Sequence, residues 1–519
     1  MRRSRREMQD VVLVDEPHDG APDGSGGADA PDGPLDGLRG SQMSAWPRRV
    51  RRWWPVAAVV ALVIGVGLVV ADRRESARLD ALADVDGMLA PLAGPVHELW
   101  RIDDALIADQ GTFAGHLLAV EERSDGSIAV VALAPGTGKT IWRVAARGPG
   151  EVTFGTRCAW PRASRPRAAA GSPEVIVCVV VDESETLESS VAGSGVFVTK
   201  ARRLTIDARS GAVLLDQPTP PTTVVSRLGS DLVTSQIDPD GHVRVTRTDA
   251  LGAADRWTFT SPDRAPLDDF GRPRVMAYVA GQVVVVRAFG ADKDSNVDSS
   301  WLLSSNGKVL HSAISDPATG AGGWIDALPG GKLFAARLDA GPATKITELA
   351  TGRSFTAEGY PLGVQPDDGS LADLLLLISD DGEHVIAYDG ASHKHRWTAP
   401  GGADGPIAVV DGRIIMAGTD TLQAIDGRTG KAVWTTKVKA SPSSWIVTDG
   451  RVVLLLGQDQ VGDVGHSATL LGAYGLDDGR LRWKTTIPNG LFLSVVDGRL
   501  YGSSGQLAGS SDSLFVALG

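Results

Sequence analysis

The sequence predicts an all-β propeller of stacked four-stranded blades behind one membrane-spanning helix, and three observations carry that prediction. Two short phrases alternate from about residue 96 to the end of the 519-residue chain. Glycine is abundant, at 62 residues, as many tight turns between short strands require. One uncharged apolar run stands apart near the N-terminus. With 43% hydrophobic and 22% charged residues, the rest has the composition of a packed globular domain. A formal net charge of -12 excludes a nucleic-acid partner, because affinity for a phosphate backbone needs a basic face.

The apolar run is WWPVAAVVALVIGVGLVVA, from Trp53 to Ala71. At ~1.5 Å per residue it just crosses the ~30 Å hydrocarbon core of a bilayer. A cleaved signal peptide has a shorter leader and a shorter apolar stretch, so an uncleaved anchor is expected. Arg48, Arg49, Arg51 and Arg52 flank it on one side. On the other, Arg73, Arg74 and Arg78 are interleaved with Asp72, Glu75 and Asp80. Positive charge stays inside, which places the N-terminus in the cytoplasm and everything after Ala71 outside it. The expected organisation is a cytoplasmic tail at 1–52, a transmembrane helix at 53–71, a juxtamembrane stalk at 72–95 and a propeller at 96–519. The localisation is then the plasma membrane, crossed once. Residues 15–42 are rich in Asp, Gly and Pro and cannot bury enough surface to offset their ordering entropy, so disorder is expected there. Val11–Val14 is an incidental apolar patch in that tail. In the stalk, Leu79, Leu82 and Met88 share a helical spacing that stops at Pro91.

The first repeated phrase is an apolar pair, a Gly turn and another apolar run, as in VVDGRIIMAG (409–418), VTDGRVVLLLG (447–457) and VVDGRLYGSSG (495–505). Asp-Gly between such runs is a hairpin signal, because Gly takes the positive φ of a primed turn. The second phrase is a strand, a polar turn around Gly, and a strand carrying Trp. It reads LQAIDGRTGKAVW (422–434), LGAYGLDDGRLRW (471–483), VIAYDGASHKHRW (385–397) and VVALAPGTGKTIW (130–142). Degenerate copies lie at 204–215, 301–310 and 346–355. A spacing usually near 45 residues is that of a four-stranded blade, and a Trp recurring once per unit packs between neighbours.

The pattern A-x-D-x-x-T-G-x-x-x-W, carried by Ala424, Asp426, Thr429, Gly430 and Trp434, is similar to the tryptophan-docking repeat of the PQQ-like (quinoprotein-like) β-propellers. The resemblance covers roughly 96–519, strongly from 380 onward and weakly between 150 and 360. It implies docking roles for Trp100, Trp142, Trp397, Trp434 and Trp483. The family norm is eight blades, and eight are expected here, although the phrases supply nine candidate last strands. The chain stops at LFVALG (514–519), a third strand without a fourth, while VHELWRID (96–103) is a last strand without a blade. Pairing them closes the ring and leaves no sheet edge open.

Sites of chemistry are sparse. Cys158 and Cys178 are the two cysteines, each in or beside a strand-like run. A disulfide between neighbouring strands and a pair of buried thiols both fit. Dehydrogenases among the PQQ-like propellers hold pyrroloquinoline quinone and calcium and usually carry adjacent cysteines. Those are lacking here, so no catalytic residue carries over and neither cofactor nor metal is expected. PGTGKT (135–140) lacks the first Gly of a phosphate loop, having Leu133 there, and belongs to a blade turn. His393 and His395 sit in another such turn, and DPDG (238–241) is hairpin chemistry. The expected function is a non-catalytic binding or scaffold protein of the bacterial cell envelope, with a protein, peptide or glycan partner. The alternatives are a PQQ-dependent oxidoreductase and a ligand-sensing ectodomain that signals through a partner.

Overall fold

The computed structural model describes residues 48–519 except 104, 151–155, 161–173, 190–192, 269, 293–294, 315–323, 329–332, 338–342, 402–406, 419, 439–445, 462–467 and 505–512. The expected disordered tail and the Val11–Val14 patch lie outside the described residues. The chain divides into two units, Met1–Val70 and Ala71–Gly519.

Helix α1 spans Arg48–Ala83. Its described side chains begin at Val59, and Val59, Leu62, Val63, Ile64, Leu68 and Val69 are each more than half exposed, at 53–68%. Among the described residues, no helix is long and apolar enough to cross a membrane.

The second unit is a ring of sheets. Nine are found among the described residues, which corrects the expected eight. In chain order the blades cover residues 105–147, 157–219, 224–264, 274–314, 324–358, 360–400, 407–437, 447–488, and finally 491–504 with 514–518 and 98–103. Each runs antiparallel through strands A to D, a meander in all but the closing blade, and the seventh gains a fifth, parallel strand. The family norm fails because the weak repeats between 150 and 360 are complete four-stranded sheets. Their hairpin glycines persist where the Trp does not. In the third blade, Trp257 lies five residues after the turn glycine Gly252 rather than four, so the repeat escapes the pattern.

Strand position explains strand composition. Middle strands are covered by a neighbouring blade on each face and are continuous apolar runs; Ile128–Leu133 is buried at every position. Outermost strands are half-wet and alternate, as Ala432–Lys437 does. Ring closure comes from the two chain ends, with Glu98–Asp103 pairing antiparallel with Leu514–Leu518.

Blades are joined by tryptophan over glycine. The turn before strand D puts Gly430 at φ 69°, and the ring of Trp397 from the preceding blade lies where a Cβ would come within 2.7 Å. The indole N–H of Trp397 donates to Gly427 O at 2.9 Å. Trp434 sits likewise on Gly479 and donates to Leu476 O at 2.9 Å, and Trp100 sits on Gly138 and donates to Pro135 O at 2.8 Å. Trp142 lies on Gly211, but its Nε1 has no hydrogen-bond partner among the described residues. Trp483 faces the closing blade, which has no C–D turn because that connection is the gap between the chain ends. It packs instead in the cluster of Val96, Leu493 and Leu518. Trp257, unforeseen, rests on Gly307 and donates to Ser305 O at 2.8 Å. Where the fifth blade meets the sixth, Phe355 stacks on His393 at 4.1 Å between centroids, and His393 takes the left-handed φ of 58° that Gly holds elsewhere.

Replacing Trp397 by Ala should cost about 3–5 kcal/mol in reversible unfolding, as deletion of a buried aromatic does. Gly430→Ala should also destabilise, because its Cβ meets the Trp397 ring in a backbone conformation L residues avoid. A G430A midpoint equal to wild type in urea would show that the docking contact carries no stability.

Candidate ligand-binding face

Antiparallel strands put the A–B and C–D turns on one face of the ring and the B–C turns and D–A links on the other. The chain itself covers part of the first face. After Ala83 it runs across the A–B turns of the seventh, eighth and ninth blades. Leu89 N donates to Thr448 O at 2.9 Å, Ala90 N to Gly498 O at 2.8 Å and Leu92 N to Asp449 Oδ2 at 2.9 Å. Met88 and Leu89 are fully buried there. The last turns of α1 are held too, by Arg78 to Gly450 O at 3.0 Å and by Arg451 to Glu75 at 3.4 Å. The hydrogen bond from Arg78 brings the Glu75 carboxyl down to about 2. From Glu75 onward, the segment expected as a juxtamembrane helix or stalk makes contact with the propeller, and its helix ends at Ala83.

The central channel is narrowed at the same face. In the sixth blade the A–B connection is long, and Val364–Asp367 pairs in parallel with the innermost strand of the seventh blade, Ile407–Val410. Asp368 and Ser370 pin it there by accepting from Asp411 N and Gly412 N, each at 2.7 Å. Around the channel, innermost strands are laced by polar side chains. Gln110 donates to Ser494 Oγ at 2.6 Å, Ser226 to Ala277 O at 3.1 Å, and Tyr278 to Asp326. Arg227 donates to Ala159 O and Val175 O, and its burial lowers the guanidinium to about 10.

The opposite face carries an open cavity. The middle strands of the second blade, Val175–Ser189 and Gly193–Asp207, are 15 residues each, against 6 for Ile128–Leu133 of the first. Their ends overhang a cavity of 480 Å³ shared with the third and fourth blades. Its lining mixes Phe197, Val198 and Pro221 with Arg157, Arg272 and Arg274. Phe197 meets Phe270 edge to face at 5.0 Å, and Arg272 pairs with Glu185, so the hairpin leans on the link between the third and fourth blades. Leu267 and Ile314 add exposed apolar surface on this face, at 53% and 57%. Cys158 and Cys178 form a disulfide directly opposite each other on strands A and B of the same blade, at the base of the hairpin.

Sequence reasoning named none of these cavity residues. The signal was the distance between the apolar run 175–181 and the turn glycine Gly211, too long for the B–C hairpin of an ordinary blade. His393 is in the C–D turn of the sixth blade, and His395 opens its strand D, where its Nε2 lies 2.9 Å from Thr398 Oγ1. Asp381, Glu383 and His384 bring potential ligand atoms within 4.8 Å of one another on an exposed B–C turn, where Asp381 already accepts from Glu383 N at 2.9 Å. The segment 238–241 is a turn in which Asp238 Oδ1 accepts from Asp240 N at 3.0 Å and His242 N at 2.9 Å.

Residues 312–491 match the model of a family described as outer membrane protein assembly factor BamB. A curated BamB of Burkholderia pseudomallei is 30% identical over 101 residues, covering 18% of this chain and 24% of that protein. The chain thus spans about a quarter of the length of the curated relative it matches. Among solved structures, BamB from Moraxella catarrhalis has a TM-score of 0.40 at 15% identity, covering 82% of this chain and 99% of that one. A quinohemoprotein alcohol dehydrogenase from Pseudomonas putida has a TM-score of 0.41 at 12% identity, covering 85% and 81%. The fold and the repeat define a PQQ-like β-propeller. By sequence, its repeat resembles that of the BamB family over the matched blades.

Glu122, on strand B of the first blade, is 7% exposed, with Oε1 lacking a hydrogen-bond partner among the described residues. Burial pushes its carboxyl from 4.5 up to about 7, against the attraction of Arg147. The folded protein therefore keeps a proton that the unfolded chain has released. Its contribution to stability is full below about pH 4.5 and lost as the pH rises towards 7, a change of roughly 3 kcal/mol at most. E122Q should flatten that stretch of the stability–pH curve. Parallel curves for wild type and E122Q between pH 5 and 7 would sink this assignment.

Proposed function

We propose that the protein is a membrane-anchored, extracytoplasmic propeller acting as a non-catalytic binding or scaffold protein of the bacterial cell envelope. The observation that carries this reading is the match of 312–491 to the outer membrane assembly factor family. The uncharged run 53–71 with its arginine-rich N-terminal flank supports the anchor, as does the exposed apolar surface of α1 from Val59 onward. Protein or peptide partners suit the open face, whose cavity joins aromatic and proline surface to arginines, the composition of protein-recognition surfaces.

Three features of the described residues argue against PQQ and calcium. The cysteines are joined between two strands instead of standing adjacent. The acidic cluster closest to a metal site lies on an outer turn. The innermost edge of the seventh blade is covered by Val364–Asp367. Titration of the full-length protein in detergent with PQQ and calcium should leave the cofactor absorbance unchanged and give no dye-linked alcohol oxidation. Stoichiometric binding with turnover would make the protein an enzyme and overturn the reading.

A further inference from the structure

We infer that the second blade binds an extended, acidic segment of a partner protein by strand addition to residues 195–200; this deepens the binding-propeller reading and rests on it. The argument begins with a pairing that stops early. On one side, Gly193–Asp207 is paired with Val175–Ser189 along almost its whole length. On the other, strand D pairs only from Ala201↔Thr219 inward. Beyond Thr219 the chain leaves through Pro220 and Pro221, which have no N–H to continue the ladder. Residues 195–200 therefore present backbone donors and acceptors along an edge with no strand beside it among the described residues.

The two edges of this hairpin differ. The overhanging part of Val175–Ser189 carries Asp182, Glu183, Glu185 and Glu188, the kind of charge that keeps an edge from pairing. Gly195–Thr199 reads GVFVT, without charge or proline and rich in β-branched and aromatic residues. Such an edge aggregates unless it has a partner, and this one lies over a cavity to which Val196, Phe197 and Val198 themselves contribute. Side chains of an added strand would have apolar space to enter.

Charge selects the partner. The chain as a whole is acidic, at -12, yet the cavity gathers Arg157, Arg272 and Arg274 against Asp238. Arg272 is matched by Glu185, while Arg157 and Arg274 are exposed and make no ion pair among the described residues. A strand with alternating carboxylates satisfies both backbone edge and guanidinium groups; a basic strand does not.

The test uses full-length protein in detergent and the labelled peptide EVTVEVTE, with KVTVKVTK as its opposite. Fluorescence anisotropy should show saturable binding of the acidic peptide only, and hydrogen exchange should slow at 195–200. Double reversal R157E/R274E should weaken acidic-peptide binding at least about tenfold and admit the lysine peptide. V196P, checked for a wild-type unfolding midpoint, should abolish both binding and protection. Absence of binding up to about 1 mM, or binding that protects another segment, would overturn the proposal while leaving the scaffold reading intact. Concentration-dependent protection of 195–200 without peptide would assign the edge to a second copy and overturn it as well.

Discussion

Everything in the propeller depends on its sheets having neighbours on both faces. A blade whose middle strands are buried throughout, such as Ile128–Leu133, has no stable existence with one face wet. In a ring of nine this requirement is met everywhere only if the last sheet meets the first. The pairing of Glu98–Asp103 with Leu514–Leu518 supplies that meeting. It makes the stability of the first blade hostage to residues more than four hundred positions away in sequence.

Docking of Trp on Gly is the local expression of the same requirement. The indole covers a backbone patch that a side chain at Gly138, Gly211, Gly307, Gly430 or Gly479 would occupy. Its N–H, in four of the five, finds a turn carbonyl. The exceptions follow the same logic with other groups. Phe355 uses the ring of His393, and Arg203 lies over Gly252 where the second blade meets the third. The interface needs a flat group over an open turn, and Trp over Gly is its commonest form here.

That tolerance explains what could be read from the sequence. Blades with Asp-Gly hairpins and a Trp at fixed spacing were legible one by one, as were the closing strands at the chain ends. The blade number was not, because a norm of eight overrode a repeat count of nine, and because Trp257 sits one residue out of register with the pattern. The cavity escaped notice for another reason. It is made by residues remote from one another, Arg157, Phe197 and Arg274, that converge because the long middle strands of the second blade overhang the innermost strands of the second to fourth blades. No local pattern encodes that convergence. Docking of 72–95 was likewise hidden: Leu79, Leu82 and Met88 had a helical apolar spacing, but the turns that receive them are over three hundred residues downstream.

The packed segment ahead of the closing strand has a mechanical meaning. Tension entering the propeller from α1 travels along the chain towards Glu98, whose strand is the fastening of the ring. Before reaching it, the pull meets Arg78 on Asp411 of the seventh blade and Gly450 of the eighth, Leu82 on the eighth, then Leu89 and Ala90 on the eighth and ninth. Those contacts spread the force over three blades, so that the seam is shielded from being peeled one hydrogen bond at a time.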